Sequence, residues 1–342
     1  MNHSKQSMTF REIEVSFNNE ESAITLSGTL SVPYEDNKLP ALILFPGSGA
    51  VDRDSTLGKY KIFKIIADYL AEKGITVLRF DKRGVGKSTG KFATVTEEDL
   101  VQDGCAAIEY LQSCSEINHK NIGLIGHSEG GLIASMLTSR SEDVKFIVIM
   151  AGPILPGKEN ASLVFTLLVN EDKVKTQNLD EDKMVFDRFF SLVSQQTLSQ
   201  TQREECIEIA KKMLPRINDK TKAVLGFTQL TPETFVSIFS IPWLQELLHS
   251  SPESILTKLK CPILGIYGSK DVQVPPLNGE SLNKILEESA HANYTVKEIV
   301  NAYHLFQHCK TGYPSEYPTN PQTMIPEVLA LLDGWISDKI IK

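Results

Sequence analysis

The sequence is poor in the residues that mark extracellular, metal-binding or nucleic-acid-binding chains. Cysteine is scarce, with five in 342 residues, at positions 105, 114, 206, 261 and 309. The number is odd, the spacing is wide and no pair is CxxC, which excludes a disulfide framework and argues against a zinc site. Three of the five lie in runs patterned as helix or strand, where a free buried thiol is the ordinary role. Basic residues are the minority charge: 35 Lys and Arg against 43 Asp and Glu leave a net charge of −8. A nucleic-acid partner therefore has no electrostatic footprint. No apolar run approaches the roughly 20 residues of a membrane span. The start, Met1 to Met8, lacks the apolar core of a signal peptide. These absences point to a cytoplasmic protein with no membrane partner, a removed leader aside. They are compatible with a homo-oligomer. There is no internal repeat and no low-complexity tract. What remains is ordinary globular composition, 41% hydrophobic and 23% charged, in a chain long for one compact core and short for three domains.

The most informative stretch is Ile122-Gly123-Leu124-Ile125-Gly126-His127-Ser128-Glu129-Gly130-Gly131. An apolar run patterned as a buried strand leads into Gly-x-Ser-x-Gly, and a helical pattern follows at once. A serine on so sharp a turn needs strained backbone angles. The glycines two before and two after it let strand and helix pass closely. The hydroxyl is then exposed at the tip of a sheet. Behind it, the helix N-terminus offers free N–H groups and partial positive charge to a developing oxyanion.

Before this point, Phe10–Phe17 and Ala23–Val32 alternate apolar and polar residues about the turn Asn18 to Ser22, an antiparallel hairpin. Ala41–Phe45 is a buried strand ending in Pro46-Gly47-Ser48-Gly49-Ala50. A helix follows from about Leu57 to Lys73, with Phe63, Ile66, Ala67 and Leu70 on its apolar face. Ile75–Phe80 is the next strand. It runs into Asp81-Lys82-Arg83-Gly84-Val85-Gly86-Lys87-Ser88. The Gly-Lys-Ser ending is no phosphate loop, because Asp81 stands where that motif needs glycine and no helix starts directly after it. Asp81 and Arg83 are expected to brace this loop against Asp52–Asp54 through ion pairs. Thr96 and Asp99 cap a helix reaching about Gln112. After the serine turn and its helix, Lys145–Met150 is another apolar strand. Alternating helices and nearly all-apolar strands imply α/β architecture: a doubly wound, mostly parallel sheet.

The alternation stops after residue 153. Residues 154–259 are helical in pattern, with apolar stripes at Phe186, Phe189, Phe190 and Val193 and at Phe235, Phe239, Trp243 and Leu247. They are expected to form an inserted helical cap on a core domain made of residues 1–153 and 260–342. Most of these aromatics fill the cap's own core, and a few line a pocket between cap and sheet. The sheet pattern returns at Pro262–Gly268, followed by Ser269-Lys270-Asp271. A helix covers 276–288, and the last strand, Tyr294–Val300, precedes Asn301-Ala302-Tyr303-His304. A helix from about Met324 to Ile341 closes the chain.

Serine is a weak nucleophile unless a base takes its proton and a third group orients the base. Ser128, Asp271 and His304 each follow a strand of the parallel sheet, so they share its carboxyl edge. Their chain order is the one the nucleophile turn predicts. Asp271 also suits a plain turn cap. Among the other histidines, His119 precedes its strand, His127 is turned away from Ser128, and His308 is one helical turn beyond His304. An i, i+4 histidine pair can ligate metal, but no carboxylate pattern supports that here.

Taken together, Gly47 to Asp54, Asp81 to Ser88, Gly126 to Gly131, Gly268 to Asp271 and His304 resemble the α/β-hydrolase superfamily. The likeness is to bacterial serine esterases with a helical insertion, a group similar to dienelactone hydrolases and S9, S15 and S33 peptidases. The resemblance spans residue 10 to the end. It implies a Ser128–His304–Asp271 triad and an oxyanion hole from the Glu129 N–H and a Ser48 or Gly49 N–H. The Glu129 side chain, a carboxylate beside an oxyanion, is expected to be paired away from the site. The implied activity is hydrolysis of small to medium apolar or aromatic carboxylic esters through an acyl-enzyme, with no cofactor and no metal. Thioesterase, lactonase and aminopeptidase chemistry fit the same triad. For an aminopeptidase, Glu171, Asp172, Asp180 and Glu181 are the candidate amine-holding acids. A ligand-binding protein on a retired hydrolase fold is the alternative from another class.

Overall fold

The structure is a computed structural model that describes residues 9–35, 38–171, 179–195, 197–321 and 323–340. An antiparallel hairpin, β1 (Phe10–Asn19) and β2 (Ile24–Pro33), opens the chain. The main strands that follow are β3 (Leu39–Phe45), β6 (Thr76–Phe80), β7 (Ile117–His127), β8 (Phe146–Met150), β9 (Ile263–Gly268) and β10 (Tyr294–Ile299). A two-stranded ribbon, β4 (Thr56–Leu57) and β5 (Tyr60–Lys61), lies between β3 and β6. The eight long strands form one sheet in the order β1-β2-β6-β3-β7-β8-β9-β10. β2 runs antiparallel to both neighbours, and every later pairing is parallel. β6, β8 and β9 are buried along their whole length, as expected of parallel strands covered on both faces.

Helices α1 (Ile62–Ala71), α2 (Glu97–Ser113), α3 (Glu129–Thr138), α11 (Leu277–Glu288) and α12 (Pro326–Lys339) flank the sheet. α1 buries Phe63, Ile66, Ala67 and Leu70, the stripe expected of it. It starts five residues later than the pattern suggested, because residues 56–61 form the small ribbon. Thr96 caps α2 in a full capping box with Asp99. Trp335 of α12 meets Phe146 edge-on at 5.8 Å between ring centres.

Between β8 and β9 the described residues hold helices and no strand: α4 (Gly157–Leu168), α5 (Leu179–Val193), α6 (Gln200–Met213), α7 (Asp219–Leu225), α8 (Pro232–Ile238), α9 (Pro242–His249) and α10 (Glu253–Leu256). This insertion has its own apolar cluster, in which Phe165, Phe186, Phe189, Phe190, Phe235 and Phe239 pack ring against ring. The stripe from Phe235 to Leu247 does not hold as one face. Pro242 starts a new helix, and Trp243 leaves the insertion's core to pack on Phe92, 6.2 Å away, beside the sheet. Asn278 of α11, fully buried, accepts hydrogen bonds from the Ile154 and Leu155 N–H groups and so anchors the entry to the insertion.

Two further expectations need correction. Of the five thiols only Cys206 is buried, and Cys105 is exposed on α2. His119 lies within β7, since that strand begins at Ile117. No helix among the described residues is long and apolar enough to cross a membrane.

Candidate active site

The loops after β3, β6, β7, β9 and β10 meet at the carboxyl edge of the sheet. Ser128, directly after β7, has φ 56° and ψ −128°, a conformation non-glycine residues adopt only where the surroundings enforce it. The flanking glycines show the enforcement. A Cβ on Gly126 would stand 2.1 Å from the Gly130 carbonyl oxygen, and one on Gly130 would stand 2.0 Å from that of Phe45. Strand and helix cross too tightly for any side chain at either position. The Ser128 N–H is tied to the Met150 carbonyl at 2.9 Å, while the residue itself remains half-buried.

His304 sits in a tight turn after β10. Phe306 N–H closes that turn on the Tyr303 carbonyl at 2.9 Å. Phe306 is fully buried and held at φ 56°, so packing imposes the turn. His304 Nδ1 donates to Asp271 Oδ2 at 2.7 Å, with both residues buried. A carboxylate only accepts, so this bond leaves Nε2 as the basic nitrogen. Asp271 Oδ1 accepts from the Gln273 and Val274 N–H groups at 2.8 and 2.9 Å. Its turn-capping role and its contact with His304 are therefore simultaneous, one for each oxygen.

His304 is brought to the serine turn through His127. The two rings lie 4.7 Å apart, and His127 Nε2 donates to the His304 carbonyl at 2.9 Å. Complete burial, and then the nearby His304, pull the His127 pKa down to about 3. His127 is thus a neutral tether for His304. Tyr60 adds a second tether, its hydroxyl donating to the Leu305 carbonyl at 3.0 Å. His308 is exposed in a non-helical segment, paired with Ala302 through an isolated bridge, so the helical relation to His304 does not exist. Among the described residues no cluster of three or more His, Cys, Asp or Glu side chains suits a metal ion.

The loop after β3 reaches the serine through Gly47. A Cβ there would lie 3.1 Å from Ser128 Cβ and 3.6 Å from its Oγ. The next two residues are Ser48, exposed, and Gly49, at φ 92°. Glu129 N–H belongs to the first turn of α3, where helix N–H groups have no intrahelical acceptor. Its side chain turns to Lys82, whose Nζ lies 2.8 Å from Glu129 Oε2 and 2.7 Å from the Gly47 carbonyl oxygen. The expected pairing of Glu129 away from the site therefore has Lys82 as its partner.

Asp81 behaves as expected. It accepts from Arg53 Nη2 at 2.8 Å and from the Arg53 and Lys87 N–H groups, and these bonds outweigh its burial and lower its pKa. Arg83 does not join it. It reaches α2 instead, donating to Asp103 at 2.7 and 2.8 Å and to Asp99. Helix α2 offers two carboxylates one turn apart, whereas Asp54 is already engaged by Arg79 and Lys61.

Sequence reasoning passed over His127 as a tether, and it also passed over Lys82, Tyr60 and Glu97. Lys82 sits between two residues that were considered, and a cation two residues past a buried strand was the available signal. Glu97, in the first turn of α2, donates its N–H to the Glu246 carboxylate of α9. Burial, then Glu129 and Glu246, raise its pKa to about 7. Of the acids considered for an amine, Glu171 accepts from Thr221 (2.6 Å) and Ser315. Asp180 and Glu181 are exposed in the first turn of α5, and Asp172 lies outside the described residues.

Residues 58–308 match the family model described as serine aminopeptidase, S33. Esterase EstD of Thermotoga maritima is 27% identical over 285 residues, which are 82% of this chain and 59% of EstD, so the chain spans about three fifths of that relative. The solved structure of the Pyrococcus furiosus esterase Pf2001 superposes with a TM-score of 0.58 at 17% identity, covering 100% of this chain and 96% of that one. Est1E of Butyrivibrio proteoclasticus, solved with ferulic acid bound, superposes with a TM-score of 0.55 at 16% identity, covering 96% and 100%. With the family match extending over most of its length and containing Ser128, Asp271 and His304, the chain belongs to the serine aminopeptidase S33 family and has the α/β-hydrolase fold.

Proposed function

We propose that this protein is a serine esterase that hydrolyses carboxylic esters through an acyl-enzyme. Ser128 Oγ attacks the ester carbonyl while His304 Nε2 takes its proton. His304 then gives that proton to the departing alkoxide, and the acyl group remains on Ser128. Water, deprotonated by the same nitrogen, releases the acid. Asp271 holds the imidazole in the tautomer that frees Nε2. The Glu129 N–H and one N–H of the loop after β3 take the oxyanion. The observation that carries the reading is the 2.7 Å bond from His304 Nδ1 to an Asp271 whose other oxygen is saturated by backbone. The likeness to EstD supports an ester as substrate.

The insertion 154–259 acts as a cap in this reading. Its α9 touches the core through Trp243 on Phe92 and Glu246 on the Glu97 N–H. The aromatic composition of the insertion favours apolar acyl or aromatic groups. An aminopeptidase is the second reading, favoured by the family's description. It needs a carboxylate for the substrate amine, and Glu171 is already committed to Thr221 and Ser315.

Hydrolysis of p-nitrophenyl esters from acetate to decanoate, beside aminoacyl p-nitroanilides, decides between the two. Ester turnover abolished by Ser128→Ala is expected, with little anilide cleavage. Anilide turnover without ester turnover would replace the esterase by a peptidase, and turnover of neither would favour a binding protein.

A further inference from the structure

Lys82 is placed where neither the triad nor the sheet requires a cation. It follows β6, is 4% exposed, and lies with its stem near the Phe92 ring, Nζ 5.7 Å from the ring centre. Its ammonium bridges two segments that are 82 residues apart in the chain. One is the Gly47 carbonyl in the loop after β3, and the other is the Glu129 carboxylate at the start of α3. In the acyl-transfer reading, these are the two segments that supply the oxyanion donors.

The bond to Gly47 has a directional consequence. The Gly47–Ser48 peptide is trans, so its N–H points opposite to its carbonyl. Holding the Gly47 oxygen on the Lys82 side aims the Ser48 N–H away from Lys82, with Gly47 itself packed against Ser128. Among the described residues no side chain holds the carbonyl of the peptide that carries the Gly49 N–H in the same way. The bond to Glu129 has an electrostatic consequence. Glu129 is 2% exposed, and its Oε1 has no hydrogen-bond partner among the described residues. A carboxylate there opposes negative charge developing on the substrate carbonyl, and in a buried site that opposition is weakly screened. Lys82 offsets it.

We propose that Lys82 is a positioning residue for the oxyanion hole. It fixes the Ser48 N–H as the donor that complements the Glu129 N–H, and it cancels the Glu129 charge beside the hole. The proposal rests on the acyl-transfer reading. The charged groups facing Glu129 are Lys82 from the loop after β6 and Glu97 from α2, with Glu246 of α9 behind Glu97.

The test is kcat and KM for p-nitrophenyl acetate in wild type, Lys82→Met, and the Lys82→Met/Glu129→Gln double variant. Loss of an oxyanion donor costs about a hundredfold or more in kcat, so Lys82→Met is expected to lose about that much with little change in KM. Part of that loss comes from the Glu129 carboxylate, left without its cation beside the hole. Adding Glu129→Gln removes that part and recovers some kcat. A packing defect alone would give a loss that the second substitution does not repair. If Lys82→Met does not accumulate as folded protein, Lys82→Gln keeps a donor for the Gly47 carbonyl without the charge, and its smaller loss is likewise repaired by Glu129→Gln. A folded Lys82→Met within threefold of wild type, or a Glu129→Gln double variant no better than its Lys82 single variant, overturns the proposal while Ser128-dependent turnover by wild type leaves the esterase reading standing. Absence of turnover by wild type, with Ser128 unlabelled by a fluorophosphonate, overturns both.

Discussion

Two buried groups near the serine turn titrate in opposite senses, and their effects on stability can be separated. Folding pulls the His127 pKa from 6.5 to about 3, through burial and the neighbouring His304. Folding raises the Glu97 pKa from 4.5 to about 7, through burial, Glu129 and Glu246. One pKa unit is worth about 1.4 kcal/mol. His127 is a base with a depressed value, so its contribution is complete above pH 6.5 and is lost as pH falls, by about 5 kcal/mol at pH 3. Glu97 is an acid with a raised value, so its contribution is complete below pH 4.5 and is lost as pH rises, by about 3 kcal/mol above pH 7. Between pH 4.5 and 6.5 the two slopes cancel in the wild type. Substitution uncovers each one. Urea unfolding of wild type, His127→Gln and Glu97→Gln across pH 4 to 8 gives the stability differences directly, with the other titrating groups subtracted. Wild type minus His127→Gln is expected to rise by about 1.4 kcal/mol per pH unit up to pH 6.5, and wild type minus Glu97→Gln to fall at that rate between pH 4.5 and 7. Flat difference curves, or slopes of the same sign, would refute the burial-driven shifts.

Asp271→Asn keeps an oxygen for the Gln273 and Val274 N–H groups but offers an amide donor to His304 Nδ1. That forces the imidazole into the tautomer with its proton on Nε2. We expect kcat for ester hydrolysis to fall by about 10⁴ with KM within a few fold, and a loss below tenfold would remove Asp271 from the triad. Gly130→Ala places a methyl 2.0 Å from the Phe45 carbonyl oxygen, where the Phe45–Pro46 backbone leaves it no room. Loss of several kcal/mol of stability, or failure to fold, is expected. A thermal midpoint near that of wild type would contradict the tight crossing at the elbow.

How much the sequence disclosed depended on how local the cause was. The alternation from β3 to β8 was legible because the long strands are mostly buried on both faces and read as largely apolar runs. The elbow was legible because Gly126 answers a demand set four residues on, at Gly130, although the demand on Gly130 comes from Phe45 at the end of β3. Where the cause is distant, the sequence misled. The start of α1 was misplaced because ribbon pairing of residues 56–61 leaves no periodic signature. Arg83 was assigned to the wrong carboxylates, since only the fold brings Asp99 and Asp103 nearer than Asp52–Asp54. Trp243 fits a helical stripe with Phe239 by spacing, yet Pro242 breaks the helix between them and sends the indole to Phe92. The triad members were individually visible, but the tethers of His304, from His127 and Tyr60, exist only across long separations in sequence.

Everything proposed for this site turns on Ser128 being a nucleophile activated by His304. Labelling with a fluorophosphonate, followed by peptide mass mapping, measures that activation without any assumption about substrate. The expected result is one adduct, on Ser128, absent in Ser128→Ala and strongly slowed in a His304→Ala variant that remains folded. An unlabelled protein, or an adduct on another residue with Ser128 unmodified, would contradict the account.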